Sequence, residues 1–319
     1  MLVVVWRITE RCNLGCAFCA YSRTLNRSRN DADTAEVRRF GKVLSDFQQT
    51  TGQSVLVSWL GGEPLLWPML TELSEYFTQT LGLKLSTTTN GTALAAPRVR
   101  ELLAKCFSEL TVSVDGFADF HDQVRDDPGG YASLHDSVRA LASLGGSMLL
   151  RANTVLMRRN IADYPALCRE LAGWGFHELT FNQLGGNDRP EFYPDNRLLP
   201  TQVSEFFTML PALRAELSER SVELRGSHAY LHRIAATTNG ERLPVQDCGP
   251  GTRYLFIDES GRAAPCSFTT AGYGVSVAEI RDVAALLSLP HRFVAMRRAE
   301  RLAPCLDCHS TQVFEKFHA

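Results

Sequence analysis

Short apolar runs alternate with longer amphipathic stretches through the first two hundred residues, and this alternation constrains the fold most. Leu2–Ile8 (LVVVWRI), Ser54–Trp59, Leu83–Thr87, Glu109–Val114, Ser147–Leu156 and Glu178–Phe181 read as strands. Helical spacing falls between them at Thr34–Thr50, Leu66–Leu81, Ala96–Lys105, Tyr131–Leu144 and Ile161–Trp174. A repeat of roughly thirty residues is what parallel strands joined by crossover helices require. Eight such units close a barrel, so six predict an α/β fold with a partial (β/α)6 barrel. A polar, proline-containing loop, 187–200, then leads to a helix over Gln202–Leu217. Beyond about Leu224 the pattern changes: a hairpin over Tyr254–Asp258 and Arg262–Pro265, a helical stretch Val277–Leu287 and a cysteine-bearing tail. The expected division is residues 1–223 for the barrel and 224–319 for a small α+β domain.

Lys and Arg number 33 against 35 Asp and Glu, a net charge of −2. That balance gives no basic face for a nucleic acid backbone. The early apolar run Met1–Trp6 is too short to span a membrane or form a signal sequence, so the expectation is a cytoplasmic protein without membrane contact. Nine cysteines in such a chain argue against a disulfide framework and for metal. They are unevenly placed: Cys12, Cys16 and Cys19 near one end, Cys248, Cys266, Cys305 and Cys308 toward the other.

Cys12, Cys16 and Cys19 occupy the loop that leaves the first strand, where sites form in parallel α/β folds. Three thiolates at this spacing can hold three corners of a [4Fe–4S] cube and leave one iron open. A structural zinc site is the alternative, with His121 or a distant cysteine as its fourth ligand.

The ordered set of motifs resembles the radical S-adenosylmethionine superfamily, and more narrowly its SPASM/twitch group. CxxxCxxC with Phe18 before the last cysteine is followed by Gly61-Gly62-Glu63-Pro64 after the second strand. Thr88 to Gly91 follows the third strand, and Ser113-Val-Asp115-Gly116 with His121-Asp122 and Arg125 follows the fourth. The resemblance implies a partial barrel, S-adenosylmethionine as cofactor and an open-iron [4Fe–4S] cluster on Cys12, Cys16 and Cys19. It implies that Gly61, Gly62 and Glu63 handle the methionine amino group, Phe18 the adenine, and Ser113 and Arg125 polar parts of the cofactor. The alternative readings are a polar strand end for Ser113 and a solvated helix charge for Arg125, but their place at the strand mouths favours the cofactor roles.

Cys248 and Cys266 flank the hairpin as Cys-x12-Gly-x4-Cys, and Cys305-Leu-Asp-Cys308 adds a CxxC. This resembles the twitch form of the extension, which implies an auxiliary [4Fe–4S] cluster on those four residues; structural zinc is again the alternative. Sulfatase maturases of the branch carry an Asp after the Gly-x4-Cys cysteine, where this chain has Ser267, so formylglycine formation is not expected. Asp188, Glu191 and Asp195 are the carboxylates of the 187–200 loop, and none is assigned as a base. Cys106 and Cys168 read as buried inert thiols, and His309 is given no role.

The resemblance points to hydrogen-atom abstraction by a 5′-deoxyadenosyl radical, with a ribosomally made precursor peptide as substrate for crosslinking, epimerisation or backbone excision. The implied partners are a separately encoded peptide-recognition protein and an electron donor such as flavodoxin or ferredoxin. Two alternatives are a small-molecule dehydrogenase or epimerase acting on an aminocyclitol or sugar, and a non-enzymatic iron–sulfur or zinc module.

Overall fold

The structure, a computed structural model, describes residues 1–317. Strand β1 (Leu2–Thr9) alternates in burial: Leu2, Val4, Trp6 and Ile8 are almost completely enclosed, with Val3, Val5 and Arg7 on the other face. Trp6 meets Phe40 of helix α1 (Thr34–Thr51) edge-on, 5.7 Å between ring centres, so the enclosed face points to the helices. The Asp33 side chain caps α1 by accepting from the Glu36 amide (2.9 Å), and Gly52, at φ +70°, ends it.

The alternation then runs through β2 (Val55–Gly61), α2 (Leu70–Glu75), β3 (Lys84–Thr89), α3 (Pro97–Cys106) and β4 (Glu109–Ser113). It continues with α4 (Ala118–Arg125), α5 (Gly130–Ala142), β5 (Leu149–Leu156), α6 (Tyr164–Leu171), β6 (Glu178–Gln183), α7 (Tyr193–Asn196), α8 (Pro200–Glu219) and β7 (Glu223–Leu224). β1 to β7 pair in parallel and in chain order. The sheet does not close on itself, and the barrel is partial.

The expected helix over 66–81 is divided. A 3-10 turn covers Pro64–Leu66, α2 starts only at Leu70, and a π-helical turn follows at Tyr76–Thr80. The break is local chemistry: Trp67 precedes Pro68 and is extended (φ −65°, ψ 124°), because the proline ring disfavours a helical residue before it.

After α9 (His228–Thr238), a helix that apolar periodicity did not announce, the chain returns to the sheet. β8 (Tyr254–Ile257) lies parallel to β1, with Val3 opposite Tyr254 and Trp6 opposite Ile257. β9 (Arg262–Ala264) forms the expected hairpin with β8, and β10 (Val275–Ser276) pairs antiparallel with β9 after the short helix α10 (Thr270–Tyr273). The ten-stranded order is therefore β10-β9-β8-β1-β2-β3-β4-β5-β6-β7. The helix expected at 277–287 begins instead at Val283: Asp282 accepts from the Ala285 amide (2.8 Å) and starts α11 (Val283–Ala299), which packs on α1. The short α12 (Ala303–Leu306) carries Cys305, and residues 310–317 turn back toward the barrel, where the Ser227 hydroxyl donates to the Phe314 carbonyl (2.8 Å).

Candidate active site

The loop leaving β1 is held by backbone. The amide of Gly62 donates to the carbonyl of Thr9 (2.9 Å) and that of Glu63 to the carbonyl of Arg11 (2.7 Å). A Cβ at Gly61 would collide with the Thr9 carbonyl, and one at Gly62 with the Arg11 carbonyl. The two glycines thus let the β2 end lie directly against the cysteine loop, a chain-to-chain approach that any other residue would block.

Glu63 is completely buried. Its carboxylate accepts from the Thr89 hydroxyl (2.7 Å), the Asn90 amide (2.7 Å) and the Leu65 amide (3.0 Å), while burial pushes its pKa up. Asn90, placed by that bond, donates to Asn13 Oδ1 (3.0 Å) and reaches Cys12 Sγ at 3.8 Å. One carboxylate therefore ties the ends of β2 and β3 to the cysteine loop.

Arg125 closes the other side. Its guanidinium makes two bonds to Asp115 Oδ2 (2.8 and 2.7 Å) and lies over the Phe18 ring at 5.7 Å. Asp115 also accepts from the Val155 amide (2.8 Å), and its own carbonyl accepts from Asn160 (2.7 Å). His121 Nδ1 accepts from the Asp115 amide (3.2 Å), so that nitrogen serves the turn after β4. Ser113 ends β4, half-buried, beside Asn153 of β5. Phe18 packs with Phe120, Tyr193 and the buried Val124, Met157 and Leu184 in an apolar patch separate from the main core. Asn90, Asp115, Asn160, Met157 and Leu184 carry no role in the sequence reading; Asn90 and Asp115 stand inside quoted motifs, whereas nothing local marks the others.

Burial raises the thiols of Cys12, Cys16 and Cys19, Cys16 to about 12, with the Arg125 charge acting against it. Cys16 feels the charges of Cys19 and Cys12, and Cys19 that of Cys12, which places the three together. Dry thiols beside a fixed guanidinium suit an anionic iron–sulfur group, whose binding releases the thiol protons.

The second set also converges. Cys308 feels the charges of Cys266, Cys248 and Cys305, and Cys248 those of Cys266 and Cys305. Cys248 is exposed and Cys266, Cys305 and Cys308 are half-buried. Gly251, at φ +77°, turns the chain after Cys248 against Phe293 of α11. Arg297 reaches Cys248 Sγ at 3.7 Å, and the Thr269 hydroxyl lies 3.3 Å from Cys266 Sγ. The CxxC turn is anchored by Arg233 of α9, which is 1% exposed and bonds Asp307 (2.6 Å) and the Cys308 carbonyl (3.1 Å). Among the described residues no three His, Cys, Asp or Glu side chains close on a single metal ion. Ligands of a four-iron cube attach to separate irons and need not meet at one point, as those of tetrahedral zinc must. Cys106 and Cys168 are both buried and belong to the core.

Two cavities share Asn182, Phe268, His309 and Thr311 in their walls. The outer one, about 570 Å³, includes Asp188, whose charge is felt at Cys19. The inner one, about 380 Å³, lies in the barrel lumen and includes Cys266.

The profile of the radical SAM superfamily matches residues 6–171, more than half of the chain. The chain belongs to the radical SAM superfamily. It is 27% identical over 276 residues to the AdoMet-dependent heme synthase of Methanosarcina barkeri, covering 83% of this chain and 76% of the relative. It is 28% identical over 286 residues to the PqqA peptide cyclase of Gluconobacter oxydans, covering 86% and 73%. Among solved structures, Streptococcus suis SuiB bound to precursor peptide SuiA superposes with a TM-score of 0.66 at 15% identity, over all of this chain and 71% of that one. That likeness is one of fold. As a radical SAM protein, the chain has the expected partial-barrel architecture, and the family implies S-adenosylmethionine and a [4Fe–4S] cluster as cofactors. No helix among the described residues is long and apolar enough to cross a membrane.

Proposed function

We propose that this radical SAM enzyme abstracts a hydrogen atom from a precursor peptide held in the two adjoining cavities. The observation that carries the reading is their shared wall: Asp188, whose charge is felt at Cys19, lines one and Cys266 lines the other. In this reading Cys12, Cys16 and Cys19 hold the open-iron cluster, and Cys248, Cys266, Cys305 and Cys308 hold an auxiliary cluster that accepts an electron or orients the substrate. When bound, the first cluster and S-adenosylmethionine supply a 5′-deoxyadenosyl radical.

The protein's own part is placement. Phe18 and its apolar neighbours offer a dry surface for adenine, and Arg125 is kept rigid by Asp115 with its charge next to Cys16 and Cys19. Gly61 and Gly62 leave backbone rather than side chains beside the cysteine loop, and Glu63 acts on the methionine end by fixing Asn90. Ser113 stands at the strand mouth for a polar part of the cofactor. The peptide substrate is supported by the likeness to a peptide cyclase. A flavodoxin or ferredoxin as donor, a separate recognition protein and a cytoplasmic setting complete the reading.

Likeness to a heme synthase favours a second reading, a small-molecule substrate that is dehydrogenated or epimerised. Anaerobic reconstitution with iron, sulfide, S-adenosylmethionine and dithionite tests both. The expected product is 5′-deoxyadenosine, with a mass change on a co-expressed precursor peptide. No 5′-deoxyadenosine from cluster-loaded protein, with substrates present, overturns the radical assignment; turnover of a small molecule alone overturns the peptide.

A further inference from the structure

The inner cavity has a cation on its wall that the site described so far does not use. Lys316, in the returning segment 310–317, is 5% exposed and lines the lumen with Thr88, Thr111, Asn153, Thr180 and Asn182. Its ammonium donates to Asn153 Oδ1 (2.8 Å), an oxygen that also accepts from the Thr180 hydroxyl (3.1 Å). An ammonium has three protons to give, and this bond uses one.

The charges around it explain why it is unusual. The acids at the base of the barrel are already engaged: Glu178 with Arg151 (2.6 Å) and with Arg225, Glu109 with Arg151 (3.3 Å). Glu315, its chain neighbour, is exposed. From β2, β3, β4, β6 and β8 the lumen receives Leu60, Thr88, Thr111, Thr180, Asn182 and Tyr254, none of them a carboxylate. Arg151, of the same sign, acts on it and shares the Phe317 ring with it: the guanidinium lies 5.0 Å and the Lys316 ammonium 5.3 Å from the ring centre. Among the described residues, Lys316 has no carboxylate partner. Burial, then Arg151, pushes its pKa down to about 7. A buried cation without a counter-charge is costly, and an anion entering the cavity removes that cost.

We infer that Lys316 binds a carboxylate of the substrate at the inner end of the cavity, so that the substrate class is an acid: a peptide with a Glu, Asp or terminal carboxylate, or a small carboxylic acid. The inference rests on the proposed role of the adjoining cavities as substrate site. It also gives the returning tail a purpose, since residues 310–317 bring the cation into the barrel lumen.

The probes are N-acetyl-L-glutamic acid N-methylamide, its neutral glutamine counterpart, and N-acetylglycine for a terminal carboxylate, titrated calorimetrically into the reconstituted full chain. At least one acid is expected to bind about tenfold or more tightly than the amide. Lys316→Met should abolish the preference and Lys316→Arg should retain much of it, with thermal melting confirming that both variants are folded. Equal binding of acids and amide, a preference that survives in the folded Lys316→Met protein, or no binding of either acid up to about 20 mM overturns the assignment. Failure of the radical reading shows separately, as no 5′-deoxyadenosine from the wild-type protein.

Discussion

The two cysteine sets are built in opposite ways. Around Cys12, Cys16 and Cys19 the support is backbone and buried acid: strand ends, glycines pressed against carbonyls, Glu63 and Asp115 fully enclosed. Around Cys248, Cys266, Cys305 and Cys308 it is turns and long side chains, with Arg233, Arg297 and Arg301 reaching across to carbonyls, a sulfur and Asp307. The first arrangement is rigid before any cofactor arrives. The second has an exposed cysteine and depends on long side chains bridging separate turns, so a bound metal group would complete its order.

The strongest way to break this comparison is to empty each set in turn. Cys12→Ala/Cys16→Ala/Cys19→Ala should abolish 5′-deoxyadenosine and still leave about four iron per chain, as expected for a four-iron cube on the second set. Chemical iron assay and product chromatography read both, and near-zero iron with retained zinc would refute an auxiliary iron cluster.

A finer test attacks the supports. Gly62→Ala forces a methyl onto the Arg11 carbonyl and should lower stability by about 1–3 kcal/mol, with loss of the first cluster's absorbance. Arg233→Met should cost about 2 kcal/mol, because Asp307 and the Cys308 carbonyl lose their shared donor, and should spare S-adenosylmethionine cleavage. If Arg233→Met instead eliminates cleavage while Gly62→Ala does not, the contrast between the regions is wrong.

The smallest effect is one of pH. Burial, with Arg125, pushes the pKa of His121 from 6.5 down to about 4. The fold keeps this histidine neutral while the unfolded chain takes up a proton, so stability is lost as pH falls below the unfolded value. The slope approaches about 1.4 kcal/mol per unit and ends near the folded value. Between pH 7 and 5.5 the wild type should lose about 1 kcal/mol more than His121→Gln, measured as urea midpoints.

Much of this was legible because it is local. Period-two burial in β1, the crossover spacing and the cysteine intervals are short-range patterns, and all six predicted barrel strands are present. What escaped depends on distance along the chain. Glu63 is explained by Thr89 and Asn90, and Lys316 by Asn153, groups no hydrophobic pattern connects. α9 was missed because its sequence, HAYLHRIAATT, buries an arginine beside Tyr230 and Ile234, so its apolar stripe is interrupted where the CxxC anchor sits. The start of α11 was missed for the opposite reason: apolar residues keep helical spacing across Glu279, Arg281 and Asp282, and Asp282 decides the boundary by capping.

The pairing of β8 with β1 has a consequence for biosynthesis. Val3 and Tyr254 face each other across 251 positions of chain, so one edge of β1 stays without its partner until about 250 further residues have been made. At about 5–20 residues per second that wait is on the order of 10–50 s, during which an apolar strand edge is open to other chains. Slower elongation would lengthen that exposure, and with it the chance that the open edge pairs with another chain.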